Sequence, residues 1–180
     1  MSRRLSQSFC LSLLPCFHVG AAVDFSHDVK PLLSRLGCNG ASCHGKAEGQ
    51  NGFKLSVFGN DPRGDYQSII KEGRGRRISQ AAPQDSLFLR KATGEVGHGG
   101  GVRIQTGSRA YKVLVDWIQE GLVYEEEDRP NLLTLRMEPE RKVLPFGGQH
   151  PLKVIASYAD GHEADVTWQA VFHSNDVGMA

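Results

Sequence analysis

No sign of charge dominates this sequence: Lys+Arg 21 against Asp+Glu 20 leaves a formal net charge of +1 over 180 residues. A nucleic-acid binder ordinarily carries a basic excess or stripe, so nucleic acid is not an expected partner. Long apolar runs are also missing. The one stretch that approaches a membrane span lies at the start, is broken by Pro15 and His18, and falls short of the roughly 20 residues a spanning helix needs. Cysteine is scarce at four residues, and methionine occurs only as Met1, Met137 and Met179. The remaining composition, 39% hydrophobic and 23% charged, is that of an ordinary globular chain and excludes disordered and collagen-like classes. At roughly 100–200 residues per domain, the length allows one full domain and a second small or partial one.

Residues 1–22 combine Arg3 and Arg4, a short apolar run from Phe9, and a small-residue end at Gly20-Ala21-Ala22. That is the pattern of an export signal, which predicts a periplasmic or cell-surface protein with no stable membrane span once the signal is removed. Cys10 and Cys16 would leave with it. The mature chain then keeps Cys38 and Cys43.

Those two cysteines sit in Gly37-Cys38-Asn39-Gly40-Ala41-Ser42-Cys43-His44-Gly45. Covalent haem attachment uses two thiols, which form thioethers with the vinyl groups, and a histidine directly after the second thiol to reach the iron. The usual spacing is C-x-x-C-H; here it is C-x4-C-H, and Gly40 with the short Ala41 and Ser42 gives the longer loop room to bulge. The residues alone also allow a Cys38–Cys43 disulfide in a secreted binding or adhesion module. A zinc site using Cys38, Cys43, His44 and a distant histidine is a further possibility.

The flanking sequence favours haem. Asp24-Phe25-Ser26-His27-Asp28-Val29-Lys30-Pro31 leads into the motif, and Gly52-Phe53-Lys54-Leu55-Ser56, Gly59-Asn60-Asp61-Pro62, Arg76-Arg77-Ile78, Pro83-x-x-Ser86-Leu87 and His98-Gly99-Gly100-Gly101 follow it. With the Trp117-Ile118 segment, this set resembles a class I cytochrome c, in the form found as cytochrome c domains of large secreted planctomycete proteins. The resemblance covers residues 24–122 and implies a mainly α haem domain over 23–124. It further implies one covalent haem c, thioethers at Cys38 and Cys43, His44 as the proximal iron ligand, and one-electron transfer as the function. Terminal helices crossing near the haem also belong to that implication.

Periodicity supports helices at three places. Val29, Leu32, Leu33 and Leu36 recur at helical spacing before Cys38, Pro83–Lys91 suggests a short helix, and 108–120 has Ser108 as N-cap and Gly121 as a stop. The second axial ligand in this family is usually methionine, which residues 24–122 lack. His98, 54 residues after His44, falls where the methionine loop would come and is the expected distal ligand. The alternative is an open sixth position, as in a haem enzyme or gas sensor. His27 reads as a residue of the first turn. Arg76 and Arg77 are candidate partners for a haem propionate, with Arg103 a weaker one.

Glu125-Glu126-Glu127-Asp128-Arg129-Pro130 reads as a linker over 125–131. Beyond it the pattern becomes strand-like at 133–137 and 152–158, with Asp160-Gly161 as a hairpin signal and further strands at 165–168 and 171–172. Leu135-x-Met137-x-Pro139, Tyr158-Ala159-Asp160-Gly161 and Asp165-Val166-Thr167 resemble a bacterial immunoglobulin-like domain of the invasin/intimin type. Only about 50 residues remain, half of the roughly 100 such a sandwich uses, so 132–180 reads as an incomplete all-β sandwich of a fragment or truncated product. No catalytic acid, base or nucleophile stands out. The expectation is an electron carrier, not an enzyme, that serves a redox partner protein or an appended catalytic domain.

Overall fold

The structure is a computed structural model that describes residues 22–124, 130–176 and 178. The expected export signal, apart from Ala22, and residues 125–129 of the expected linker lie outside the described residues.

Asp24 opens the fold. Its carboxylate accepts the His27 N–H at 2.9 Å, capping a wide helical turn over Phe25–Val29 that runs straight into α1 (Lys30–Arg35). Pro31 sits in the first turn of α1, where its missing N–H is tolerated. Of the face its spacing predicts, Val29, Leu32 and Leu33 are buried together with Phe25, while Leu36 is half-buried. Helix α2 (Pro62–Ile70) starts at Asp61, whose side chain accepts from the Gly64 N–H. Helix α3 (Leu87–Thr93) ends at Gly94 in the left-handed region, φ 82°, and the short turn Pro83–Asp85 precedes it. In α4 (Arg109–Gln119) the Ser108 hydroxyl accepts from the Tyr111 N–H, and Leu114, Val115, Trp117 and Ile118 point inward.

The two ends of this module meet. The Phe25 N–H donates to the Val123 carbonyl at 2.9 Å, Trp117 Nε1 donates to the same oxygen at 3.0 Å, and the Tyr66 hydroxyl donates to the Leu122 carbonyl. Phe25, Tyr66, Trp117 and Tyr124 pack as one aromatic cluster with ring centroids 4.9–6.2 Å apart. Phe25 and Trp117 are fully buried and the two tyrosines half-buried, so the cluster contributes strongly to the hydrophobic stabilisation of the module.

The expected class, a mainly α domain followed by an incomplete sandwich, does not hold. The described residues form four α-helices with single helical turns between them, 32% helical in all, and one small antiparallel sheet. Glycine is the physical reason: ten glycines between Gly37 and Gly121 adopt left-handed φ values. The chain therefore keeps turning where a longer helix would need uninterrupted right-handed backbone.

Beyond residue 130, β1 (Leu132–Glu138), β2 (Lys153–Tyr158) and β3 (Glu163–Asp165) form a sheet in the order β1-β2-β3. The Asp160-Gly161 turn joins β2 to β3 as expected. The further strands do not form. Asp165 Oδ1 accepts from both the N–H and the hydroxyl of Thr167, and this local turn bends the chain away from the sheet. Residues 171–172 carry no strand, and no second sheet exists among the described residues. The turn delivers Trp168 onto the helical module instead. The Arg109 guanidinium lies 4.3 Å over its ring, Arg35 Nη1 donates to its carbonyl, and Gln169 Nε2 donates to the His27 carbonyl at 3.0 Å.

No helix of the described residues is long and apolar enough to cross a membrane.

Candidate functional site

The cysteine loop springs directly from α1. The Cys38 N–H donates to the Leu33 carbonyl, and the loop then closes on itself through Gly40 to Gly37, Cys43 to Gly40, and His44 to the Cys38 carbonyl at 3.0 Å. The two residues added to the usual spacing are absorbed in this turn, which returns Cys43 and His44 beside Cys38. Gly45 is required by contact rather than by φ: a Cβ there would lie 2.1 Å from the Asn39 carbonyl oxygen. Asn39 is itself buried, with Nδ2 on the Ser34 hydroxyl at 2.8 Å. Cys38 and Cys43 carry free thiols.

His44 is held from two sides. Its carbonyl accepts the Leu55 N–H, and its Nδ1 lies 2.9 Å from the Phe53 carbonyl. A carbonyl can only accept, so Nδ1 carries the proton and Nε2 keeps a free lone pair. His98 repeats the arrangement: its Nδ1 lies 2.8 Å from the Gly101 carbonyl. Nε2 is therefore the free nitrogen of both rings. The imidazoles are 6.2 Å apart between centroids and only 9° from parallel. Two rings that both reach one cavity with Nδ1 already engaged would be the residues to hold a metal-bearing group there through Nε2. Burial lowers the His44 pKa, with its bond to Phe53 opposing and the charges of His98 and Arg77 adding to the fall. The ring is neutral at pH 7 and able to ligate.

These residues line one cavity of about 760 Å³, a size typical of a small-molecule or cofactor site. Cys38, Cys43, His44, Arg76, Arg77 and His98, six residues separated by up to 60 positions in the chain, all reach it. Leu33, Phe53, Phe88, Ile104 and Leu114 make its apolar wall. Lys91 and Arg103 bring its cations to four, and no carboxylate lines it among the described residues. The lining thus offers two thiols, two imidazoles and four cations around an apolar wall. Among the described residues no three histidine, cysteine or carboxylate side chains converge as a site for a bare ion.

Two expected roles shift. Arg77 is 5% exposed, and its guanidinium is committed to three backbone carbonyls: Ser68 at 2.7 Å, Glu72 at 2.8 Å and Gly52 at 2.5 Å. It braces the wall. Arg76 stands exposed at the rim of the cavity. Arg103 has a larger role than its sequence context suggested, with Nη2 3.9 Å from Cys43 Sγ. Burial pushes the Cys38 thiol up to about 11, with the Arg103 charge partly offsetting it. Phe53 was not singled out from sequence as a site residue, yet its ring lies 4.4 Å from the His44 ring. The signal was a lone aromatic in a polar, glycine-flanked stretch. His27 stays in the first turn, bonded to Asp24, away from the cavity.

Comparison with known proteins finds no matching family model, curated protein or solved structure.

Proposed function

We propose that this chain is an exported one-electron carrier that holds a single haem c in the 760 Å³ cavity. The observation that carries the reading is the pair of near-parallel imidazoles 6.2 Å apart, each with Nδ1 on a backbone carbonyl, beside two free thiols. Cys38 and Cys43 would anchor the group as thioethers, and His44 and His98 would be its axial ligands. When bound, the haem supplies an iron that alternates between ferric and ferrous states.

The chain's own residues do the rest. The Phe53 and Gly101 carbonyls hold each imidazole in one tautomer and one orientation, which raises ligand basicity and limits rearrangement between oxidation states. Leu33, Phe88, Ile104 and Leu114 exclude water from the apolar body of the site. Arg76 and Arg103 offer charge-assisted hydrogen bonds to carboxylate arms. Two imidazoles set a lower potential than a histidine–methionine pair, because methionine ligation raises it. The electrons would pass to or from a redox partner protein or an appended catalytic domain.

The test is a denaturing gel stained for haem. The chain is expressed with its own signal in a host able to mature C-x4-C-H motifs, beside the Cys38→Ala/Cys43→Ala double variant. A stained wild-type band that vanishes in the double variant supports the reading. A colourless wild type of normal abundance in that host overturns it.

A further inference from the structure

Arg77 raises a question that the haem reading leaves open, namely why a cation is buried in the wall of the cavity. A buried charge needs close partners, and the hydrogen bonds of Arg77 go to main-chain oxygens alone. Nη1 reaches the Ser68 and Glu72 carbonyls, at the C-terminal end of α2, where open carbonyls and the helix dipole favour a cation. Nη2 reaches across to the Gly52 carbonyl at 2.5 Å. The guanidinium thus ties the end of α2 to the peptide that joins Gly52 to Phe53.

Phe53 then makes two contacts with His44. Its carbonyl accepts the Nδ1 proton at 2.9 Å, and its ring packs against the imidazole at 4.4 Å between centroids. The ring also meets Phe88 edge-on at 6.4 Å between centroids and carries Arg77, whose guanidinium carbon lies 4.6 Å from the ring centroid. Besides the clamp, the Gln50–Phe53 turn has two mutual backbone bonds, the Phe88 ring beside Phe53 and the Ser68 hydroxyl on the Lys54 carbonyl, and it turns through left-handed Asn51 and Gly52, φ 50° and 73°. Both of those residues are exposed.

We infer that Arg77 is a positioning residue for His44: its three-carbonyl clamp and its stack on Phe53 fix the plane of the His44 imidazole. Lysine cannot replace it, because a single ammonium lacks the planar fork that spans three acceptors and lies flat on an aromatic ring. The inference rests on the haem reading for its first readout and is independent of it for the second.

The first readout is the ferric electron paramagnetic resonance spectrum of the haem-loaded full chain, which is sensitive to the angle between two axial imidazole planes. Wild type and the surface control Arg63→Gln should give one sharp rhombic signal, as the 9° angle implies. Arg77→Lys and Arg77→Gln should keep the haem stain, since both thiols remain, while the signal shifts and broadens. Phe53→Leu, which leaves the clamp's carbonyl partners in place, should do the same. An unchanged spectrum in both Arg77 variants overturns the inference. If those variants do not accumulate, an unchanged spectrum in Phe53→Leu overturns it.

The second readout is the exchange rate of the His44 Nδ1 proton, followed by imidazole NMR in the haem-free Cys38→Ala/Cys43→Ala chain. Arg77→Lys should speed that exchange relative to the same chain with Arg77 intact, because the Phe53 carbonyl that holds the proton is no longer braced. Equal rates overturn the inference. A wild type that takes no haem sinks the proposed function alone, because this exchange measurement still decides the role of Arg77.

Discussion

Two regions of this chain handle apolar side chains in opposite ways. In residues 22–124 most of the large ones are hidden: Phe25, Leu32, Leu55, Ile69, Leu89, Leu114, Trp117 and Ile118 are each at most 1% exposed, while Val57, Phe58 and Val102 stay in solvent. In residues 130–178 every position of β1 is exposed, with Leu133 at 64% and Leu135 at 60%, and only Val154 and Ala156 are buried hydrophobics. Alternation is present in both the sequence and the strand register, with Leu135 opposite Ala156 and Met137 opposite Val154 on one face. An alternating strand declares which face wants cover, but cover needs a second layer. The helical module supplies its own second layer by bringing its ends together; the sheet has none among the described residues, and the region leans on the module through Trp168.

The largest expected effect tests the closed region. Trp117→Ala removes a fully buried ring of the aromatic cluster and the hydrogen bond to Val123, and should destabilise the module by about 3–5 kcal/mol. Urea unfolding followed by far-ultraviolet circular dichroism measures it; a loss below about 1 kcal/mol would contradict the packing described.

Gly45→Ala comes next. The added methyl would meet the Asn39 backbone at 2.1 Å, so the Cys38–His44 loop must open, at about 1–3 kcal/mol. Haem staining should fall in parallel with stability. Staining at wild-type yield would show that the loop geometry is not needed for attachment.

A third effect depends on pH. The Cys38 pKa is raised on folding, from 9.0 to about 11, so the unfolded chain releases this proton first as pH rises. The stability associated with the buried thiol is therefore complete below pH 9 and is lost between about 9 and 11. The haem-free wild type should lose stability across that window, and Cys38→Ala should flatten the curve there. Urea midpoints at pH 8, 9, 10 and 11 would show the difference, at values chosen to span the shift.

The smallest effect belongs to the open region. Leu135→Lys should change stability by no more than about 0.5 kcal/mol, because the side chain is already in solvent. A larger loss would mean that something covers β1 in solution, and the contrast between the two regions would have to be redrawn.

Legibility followed the range of the interactions. Helix α4 was readable because Ser108, the apolar positions and Gly121 are all local signals, and the structure places its ends within a residue of the expected ones. Helix α2 was not, since it buries Asp65 and Ser68 beside Ile69. Asp65 is half-satisfied by its neighbours in space rather than in sequence: its carboxylate accepts from the Ser56 N–H and hydroxyl, while burial raises its pKa. The strands at 133–137 and 152–158 followed from alternation, and the strand expected at 165–168 failed because one Asp165–Thr167 turn outweighed it.

At the site, the sequence by itself determined the chemical identities: two thiols, a histidine beside the second, a histidine in a glycine-rich loop, and paired arginines. Their types and order are covalent facts. Tertiary structure alone decided that the six residues share one cavity, that the two imidazoles stand parallel, and that Arg77 faces three carbonyls while Arg76 faces solvent. Each of these depends on contacts between segments up to dozens of residues apart, whose distances and burial are set by how the helices and turns pack and by no local pattern.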